Sequence, residues 1–73
     1  MKFKIFSIYD SKAETFNTPL FLVQEGQAIR IFDDMVNDDQ TDIAKHTEDY
    51  TLFNLGEFDS ETGLVTPLNT SRS

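Results

Sequence analysis

Side chains with chemistry to offer are few and scattered along this 73-residue chain. Five carboxylates lie close together at Asp33, Asp34, Asp38, Asp39 and Asp42. Hard cations want several converging oxygens, and a loop of carboxylates is one source of them. The spacing here lacks the Asp-x-Asp-x-Asn-Gly run and closing Glu of a calcium loop, so it reads as a solvated acidic segment without a metal. His46 is the only histidine and stands between Lys45 and Thr47 in a polar stretch. A catalytic histidine needs a partnered nucleophile or a second titrating group held by packing, and no such motif accompanies it. It reads as a surface or capping residue, and Glu48-Asp49 as a turn rather than an acid/base pair. No reaction class is supported, so the chain is expected to be neither an enzyme nor the holder of a cofactor.

The cations are Lys2, Lys4, Lys12, Arg30 and Lys45, with one further arginine at the C-terminus. Two readings of them stay open. Scattered cations serve solubility, and the aromatics near them serve a core. Alternatively, the start of the first strand, its following loop and an exposed helix face adjoin. The cations then form a patch beside Tyr9, Phe16 and Tyr50, whose rings would stack unpaired bases as in single-strand binders. The charge balance weighs against the second reading. Six Lys+Arg stand against thirteen Asp+Glu, a formal net charge of −7, and affinity for nucleic acid comes largely from cations that neutralise phosphates.

The elements that would position these groups follow from the apolar pattern. Lys2 to Tyr9 predicts a strand, with Phe3, Ile5 and Tyr9 on one face and Phe6 and Ile8 on the other. Both faces are apolar, as in a strand covered on both sides. Pro19 opens a second apolar run, Leu20-Phe21-Leu22-Val23, and Phe16 folds back onto the core from the connection between them. A helix is predicted from about Gln27 to Val36, with Ala28, Ile29, Phe32, Met35 and Val36 inward and Ile31 off that face. One further helical turn fits around Ile43-Ala44-Lys45. Tyr50 to Phe58 predicts a third strand, with Phe53 and Leu55 on one face and Leu52 and Phe58 on the other. Gly56 marks a bulge or a close approach. Asp59-Ser60-Glu61-Thr62-Gly63 is a hairpin turn, and Leu64-Val65-Thr66 the returning strand, limited by Pro67 to an edge.

The order strand, strand, helix, strand, strand predicts an α+β fold. It is a small, mostly antiparallel sheet of about four strands with one main helix on a face. Residues 1–68 form a single domain, and the polar segment 69–73 is expected to fray. A chain this short buries only about 60–65% of its unfolded surface. It has no cysteine with which to reinforce itself. One helix cannot cover two apolar sheet faces, so a second copy is the expected partner. No apolar run reaches the roughly 18 residues of a membrane span, and the N-terminus lacks a signal-peptide pattern. The expected location is cytoplasmic, with no membrane partner.

Four motifs then occur in order. They are Ile-Tyr-Asp-Ser-Lys-Ala-Glu-x-Phe from Ile8 to Phe16, Gly26-x-Ala28-x-Arg30-x-Phe32, Lys45-His46-x-Glu48-Asp49-Tyr50-Thr51-Leu52-Phe53, and Gly56-Glu57-Phe58-Asp59-x-x-Thr62-Gly63. No one of them is specific, but the ordered set resembles the small nonstructural, or DNA-binding, protein of gokushoviruses, single-stranded DNA phages of the microvirus family. The resemblance spans about Met1 to Pro67. One departure is Thr47, where the family usually has proline. The resemblance implies a nonstructural protein of the host cytoplasm that acts when replication switches to single-strand production and packaging. Its implied ligand is single-stranded DNA, with Lys2, Lys4, Tyr9, Lys12, Arg30 and Lys45 as the binding candidates. The alternative is an acidic module that binds a viral or host replication or packaging protein.

Overall fold

The computed structural model describes residues 1–68; the expected tail, 69–73, lies outside the described residues. The chain runs β1 (Lys2–Asp10), β2 (Thr15–Phe16), β3 (Leu20–Leu22), α1 (Glu25–Val36), α2 (Asp42–Lys45), a 3-10 turn (Thr47–Asp49), β4 (Tyr50–Asp59) and β5 (Val65–Pro67). This is the expected α+β fold, with all five strands in one antiparallel sheet. β1 is central. β4 pairs along its whole length on one side, β2 and β3 share its other side, and β5 closes the far edge.

The second apolar run is shorter than expected, and a two-residue strand precedes it. Tyr9 pairs with Phe16, yet Phe6 pairs with Leu20, so one extra residue is accommodated between β2 and β3. Pro19 lies in that gap, where a residue without an N–H cannot extend a ladder. The interruption is stitched to β1 by Asn17, whose N–H donates to the Ile8 carbonyl at 2.9 Å. Its own carbonyl accepts from the buried Ser7 hydroxyl at 2.6 Å.

α1 starts two residues earlier than expected and includes Gly26. Gln27 Oε1 accepts from the Gln24 N–H at 3.1 Å, which satisfies one group at the helix entry. The inner face also needs correction. Ala28, Ile31, Phe32 and Met35 line a cavity of about 90 Å³ against Phe6, Ile8 and Leu52, while Ile29 is 46% exposed. Positions 28, 31, 32 and 35 are i, i+3, i+4 and i+7, whereas residue 29 lies about 100° round the helix from residue 28. Ile31, not Ile29, therefore belongs to the core. Replacing Phe32 with alanine should cost about 3 kcal/mol, near the lower bound for a core aromatic because the ring is half-buried. An unchanged thermal midpoint would show that the helix does not hold the sheet.

The C-terminus of α1 carries no basic residue, and Asn37 ends it in right-handed conformation rather than the left-handed one its type permits. Thr41 resolves the join. Its hydroxyl donates to the Met35 carbonyl at 2.7 Å and accepts from the Ala44 N–H at 3.1 Å, capping α2 while tying it to α1.

β4 contains the feature that decides the sheet. Ile5 pairs with Gly56 but Phe6 with Asn54, so Leu55 is an extra residue, a β-bulge. A bulge reverses the parity of every later side chain. Phe58 pairs with Phe3 and Phe53 with Ser7, both odd positions of β1, so Phe53 and Phe58 share a face. The expected assignment put them on opposite faces. After the bulge, the Asp59 to Gly63 turn closes as expected. Gly63 has φ +77°, and its N–H donates to the Asp59 carbonyl at 2.7 Å. The Asp59 carboxylate accepts from the Glu61 N–H at 2.9 Å. That hydrogen bond, aided by the N-terminal ammonium and Lys2, holds the carboxyl below the ordinary carboxylate range.

Candidate nucleic-acid interface

The sheet has two unlike faces. The even positions of β1, from Lys4 to Ile8, look toward α1. The odd positions, Phe3, Ile5, Ser7 and Tyr9, look away from it, and β4 adds Thr51, Phe53, Gly56 and Phe58 to the same side by register. β2 and β3 add Phe16 and Phe21 there, and β5 adds Val65 and Pro67. None of these residues carries a charge. Among the described residues, no helix covers this face. Phe16 is 36% exposed, Phe21 49% and Val65 55%, so the margins of this face are open, while Ile5 and Ser7 at its centre are buried.

Six rings therefore lie on one open side of the sheet. Tyr9, Phe16 and Phe53 form a triad with centroids 4.8 Å (Tyr9–Phe16), 6.0 Å (Tyr9–Phe53) and 5.6 Å (Phe16–Phe53) apart. The two Phe53 contacts are edge-on, at 86° and 71°. Phe58 touches Phe3 at 6.4 Å and Phe21 at 5.7 Å, the latter edge-on at 85°. Edge-to-face packing suits the ring quadrupoles and holds each ring at a set angle. Such a surface offers planar, apolar, hydrogen-bond-poor contact to other planar groups, which is the chemistry of base stacking.

The sequence-based candidates are not gathered in one place. Tyr9 is in the triad. Lys12 lies close by, in the four-residue turn that joins Tyr9's strand to Phe16's. Asp10 pins that turn, its Oδ1 accepting from the Lys12 N–H at 2.9 Å and the Ala13 N–H at 3.3 Å. Lys2 and Lys4 are even positions of β1 and belong to the helix side. Lys2 Nζ is 3.9 Å from Glu57 Oε1. Arg30 is on α1 and borders a second cavity with Leu22, the residue paired with Lys4. Lys45 ends α2 and is exposed. Tyr50 pairs with Asp10, so it stands on the helix side, away from Tyr9 and Phe16. Its hydroxyl is pushed above the ordinary phenol range by burial and by Asp10, Asp42 and Asp49, and it donates to Asp10.

Phe3, Phe21, Phe53 and Phe58 were absent from the sequence-based set. For Phe53 and Phe58 the missing signal was the bulge at Leu55. Phe3 and Tyr9 already shared a face by alternation, and Phe21 is placed there only by pairing with Ile5. Elsewhere, His46, Glu48 and Asp49 hold their ligand atoms within 4.8 Å of one another. One imidazole nitrogen and two carboxylates suit a borderline divalent cation. The three come from consecutive turns of one short exposed segment, with His46 and Glu48 open to solvent.

A model of the family described as Phage ORF5 protein matches residues 3–73. No curated protein and no solved structure shows a significant match.

Proposed function

Because this chain belongs to the Phage ORF5 protein family, we propose that it is a non-catalytic phage protein that binds single-stranded DNA on the aromatic face of its sheet. The observation that carries this reading is the open, uncharged surface of six rings, with Lys12 at its rim. The gokushovirus resemblance supplies the setting: a nonstructural protein acting in genome replication or packaging in the host cytoplasm.

Unpaired bases are the natural ligand. Stacking on an aromatic ring contributes about 1–3 kcal/mol per base and tolerates every base, because each has a π-face. Duplex DNA hides those faces in its own stack and brings a denser phosphate charge to a body of net charge −7. Affinity should therefore be stacking-led and weakly salt-dependent. With Lys12 as the one cation beside the triad, the log–log salt slope for single strands should be about −0.7. Fluorescence anisotropy with labelled oligothymidylate and a duplex of equal length, from 20 to 200 mM salt, reads both quantities. A slope near about −3 would instead mean that Lys2, Lys4 and Arg30 join Lys12 in holding phosphates. Preference for duplex would remove the reading.

A second reading is favoured by a different observation. Asp38, Asp39, Asp42 and Glu48 are exposed carboxylates of the α1–α2 connection and the turn after it. That acidic pole suits a basic viral or host replication protein, which would be steered by charge. Such binding would fall steeply with salt, unlike the stacking-led binding proposed for the sheet.

A further inference from the structure

The aromatic face is long, and its rings are not evenly spread along it. Tyr9, Phe16 and Phe53 stand at one end of β1, while Phe3, Phe21 and Phe58 stand at the other. Phe3 and Tyr9 are six residues apart on one strand, which at about 3.3 Å per residue is about 20 Å. Between them the strand turns Ile5 and Ser7 to this face, 6% and 3% exposed. Gly56, paired with Ile5, adds no side chain. The middle of the face is thus buried and uncharged, with the Ser7 hydroxyl taken up by the Asn17 carbonyl, and an aromatic group stands at each end. Each group includes one well-exposed ring, Phe16 at 36% and Phe21 at 49%.

We propose that the face is a two-station site. One single strand runs along β1, seats a base against the Tyr9–Phe16–Phe53 group and another against the Phe3–Phe21–Phe58 group, and passes over the uncharged middle between them. This rests on the single-strand reading and adds the length of strand engaged. A strand bridging about 20 Å needs about four to seven nucleotides, between a stretched backbone and the stacked rise of about 3.4 Å. Linking two weak stations through one short strand makes the second contact intramolecular. Affinity then rises sharply once the strand can reach both and only slowly thereafter. Recognition by ring faces carries no base identity, so the ligand class is any unpaired oligonucleotide of that length.

The test uses the full chain and oligothymidylates of 2, 3, 4, 6, 8 and 12 nucleotides. Affinity should climb at least about tenfold between the dinucleotide and the hexanucleotide, then increase only in proportion to the number of registers available. Phe21→Ala should bring hexanucleotide affinity down toward that of the dinucleotide while leaving dinucleotide binding at the Tyr9 end within about twofold. Circular dichroism on the variant separates loss of a station from loss of fold. A plateau already reached at two or three nucleotides overturns the two-station site while leaving single-strand binding intact. Absence of binding at every length overturns the single-strand reading itself. Sedimentation of the same samples reports the other occupant. A dimer that no oligonucleotide dissociates would assign the face to a second copy of the chain and overturn the proposal.

Discussion

Gly56→Ala should bring the protein close to unfolding at room temperature. Gly56 has φ +154°, a conformation that residues with a Cβ rarely adopt. A Cβ there would run into the Thr66 carbonyl oxygen and lie 2.9 Å from Pro67 Cα, both backbone atoms of the neighbouring strand. Neither can step aside as a flexible side chain would. Backbone strain costs about 1–3 kcal/mol and forced overpacking about as much again. The sum is a large part of the roughly 4–10 kcal/mol available to a domain this size. β5 should separate from β4 first, since Gly56↔Pro67 is one end of their short pairing. Gly26→Ala is the matched control. Nothing lies within 4 Å of its added Cβ, and it sits in α1, where alanine is favoured by about 0.5–1 kcal/mol. One substitution should thus lower the urea midpoint sharply and the other raise it slightly. Equal midpoints would mean that the bulge in β4 is not held as described.

The second large effect is on binding. Phe16→Ala combined with Phe21→Ala removes the exposed ring of each aromatic group. At about 1–3 kcal/mol for each stacked base, single-strand affinity should fall by about 2–6 kcal/mol, enough to abolish detectable binding. Stability should suffer far less. Both rings are at least a third exposed, so the loss is part of their apolar burial together with ring contacts worth about 0.5–1.5 kcal/mol each. Lys4→Gln with Lys12→Gln is the informative contrast. Lys4 is on the helix side of β1, so only the Lys12 contact is lost and affinity should fall by less than about tenfold, with no change in base preference. If the lysine pair proves far more damaging than the phenylalanine pair, the strand lies on the helix side.

The residues themselves explain how far the sequence could be read. Alternation in β1 separated Phe3, Ile5 and Tyr9 from Phe6 and Ile8, because nothing interrupts that strand. The Asp59 to Gly63 hairpin was legible for a local reason: its turn needs a residue at positive φ, and glycine supplies it. Ile29 and Ile31 were interchanged because both are isoleucine. Only the direction of approach of the sheet decides which side of Phe32 is the core. The aromatic face was hidden more deeply. It exists because Leu55 is an extra residue in β4, and a bulge is a property of pairing between Ile5–Phe6 and Asn54–Gly56, some fifty residues apart in the chain. Strict alternation puts Phe58 on the face opposite Phe53, which splits the six rings between two surfaces. Charge alone points to the lysines, and most of these stand on the other side of the sheet or beyond its end.

The central claim is that the aromatic face, rather than the cations, meets the DNA. It is tested most directly by titrating isotope-labelled protein with hexathymidylate and following aromatic and backbone resonances by NMR. The account predicts shifts at Phe3, Tyr9, Phe16, Phe21, Phe53 and Phe58 together, with α1, Lys45 and the Asp38–Asp42 loop unmoved. Shifts confined to Lys2, Lys4 and Arg30 with silent rings would contradict it.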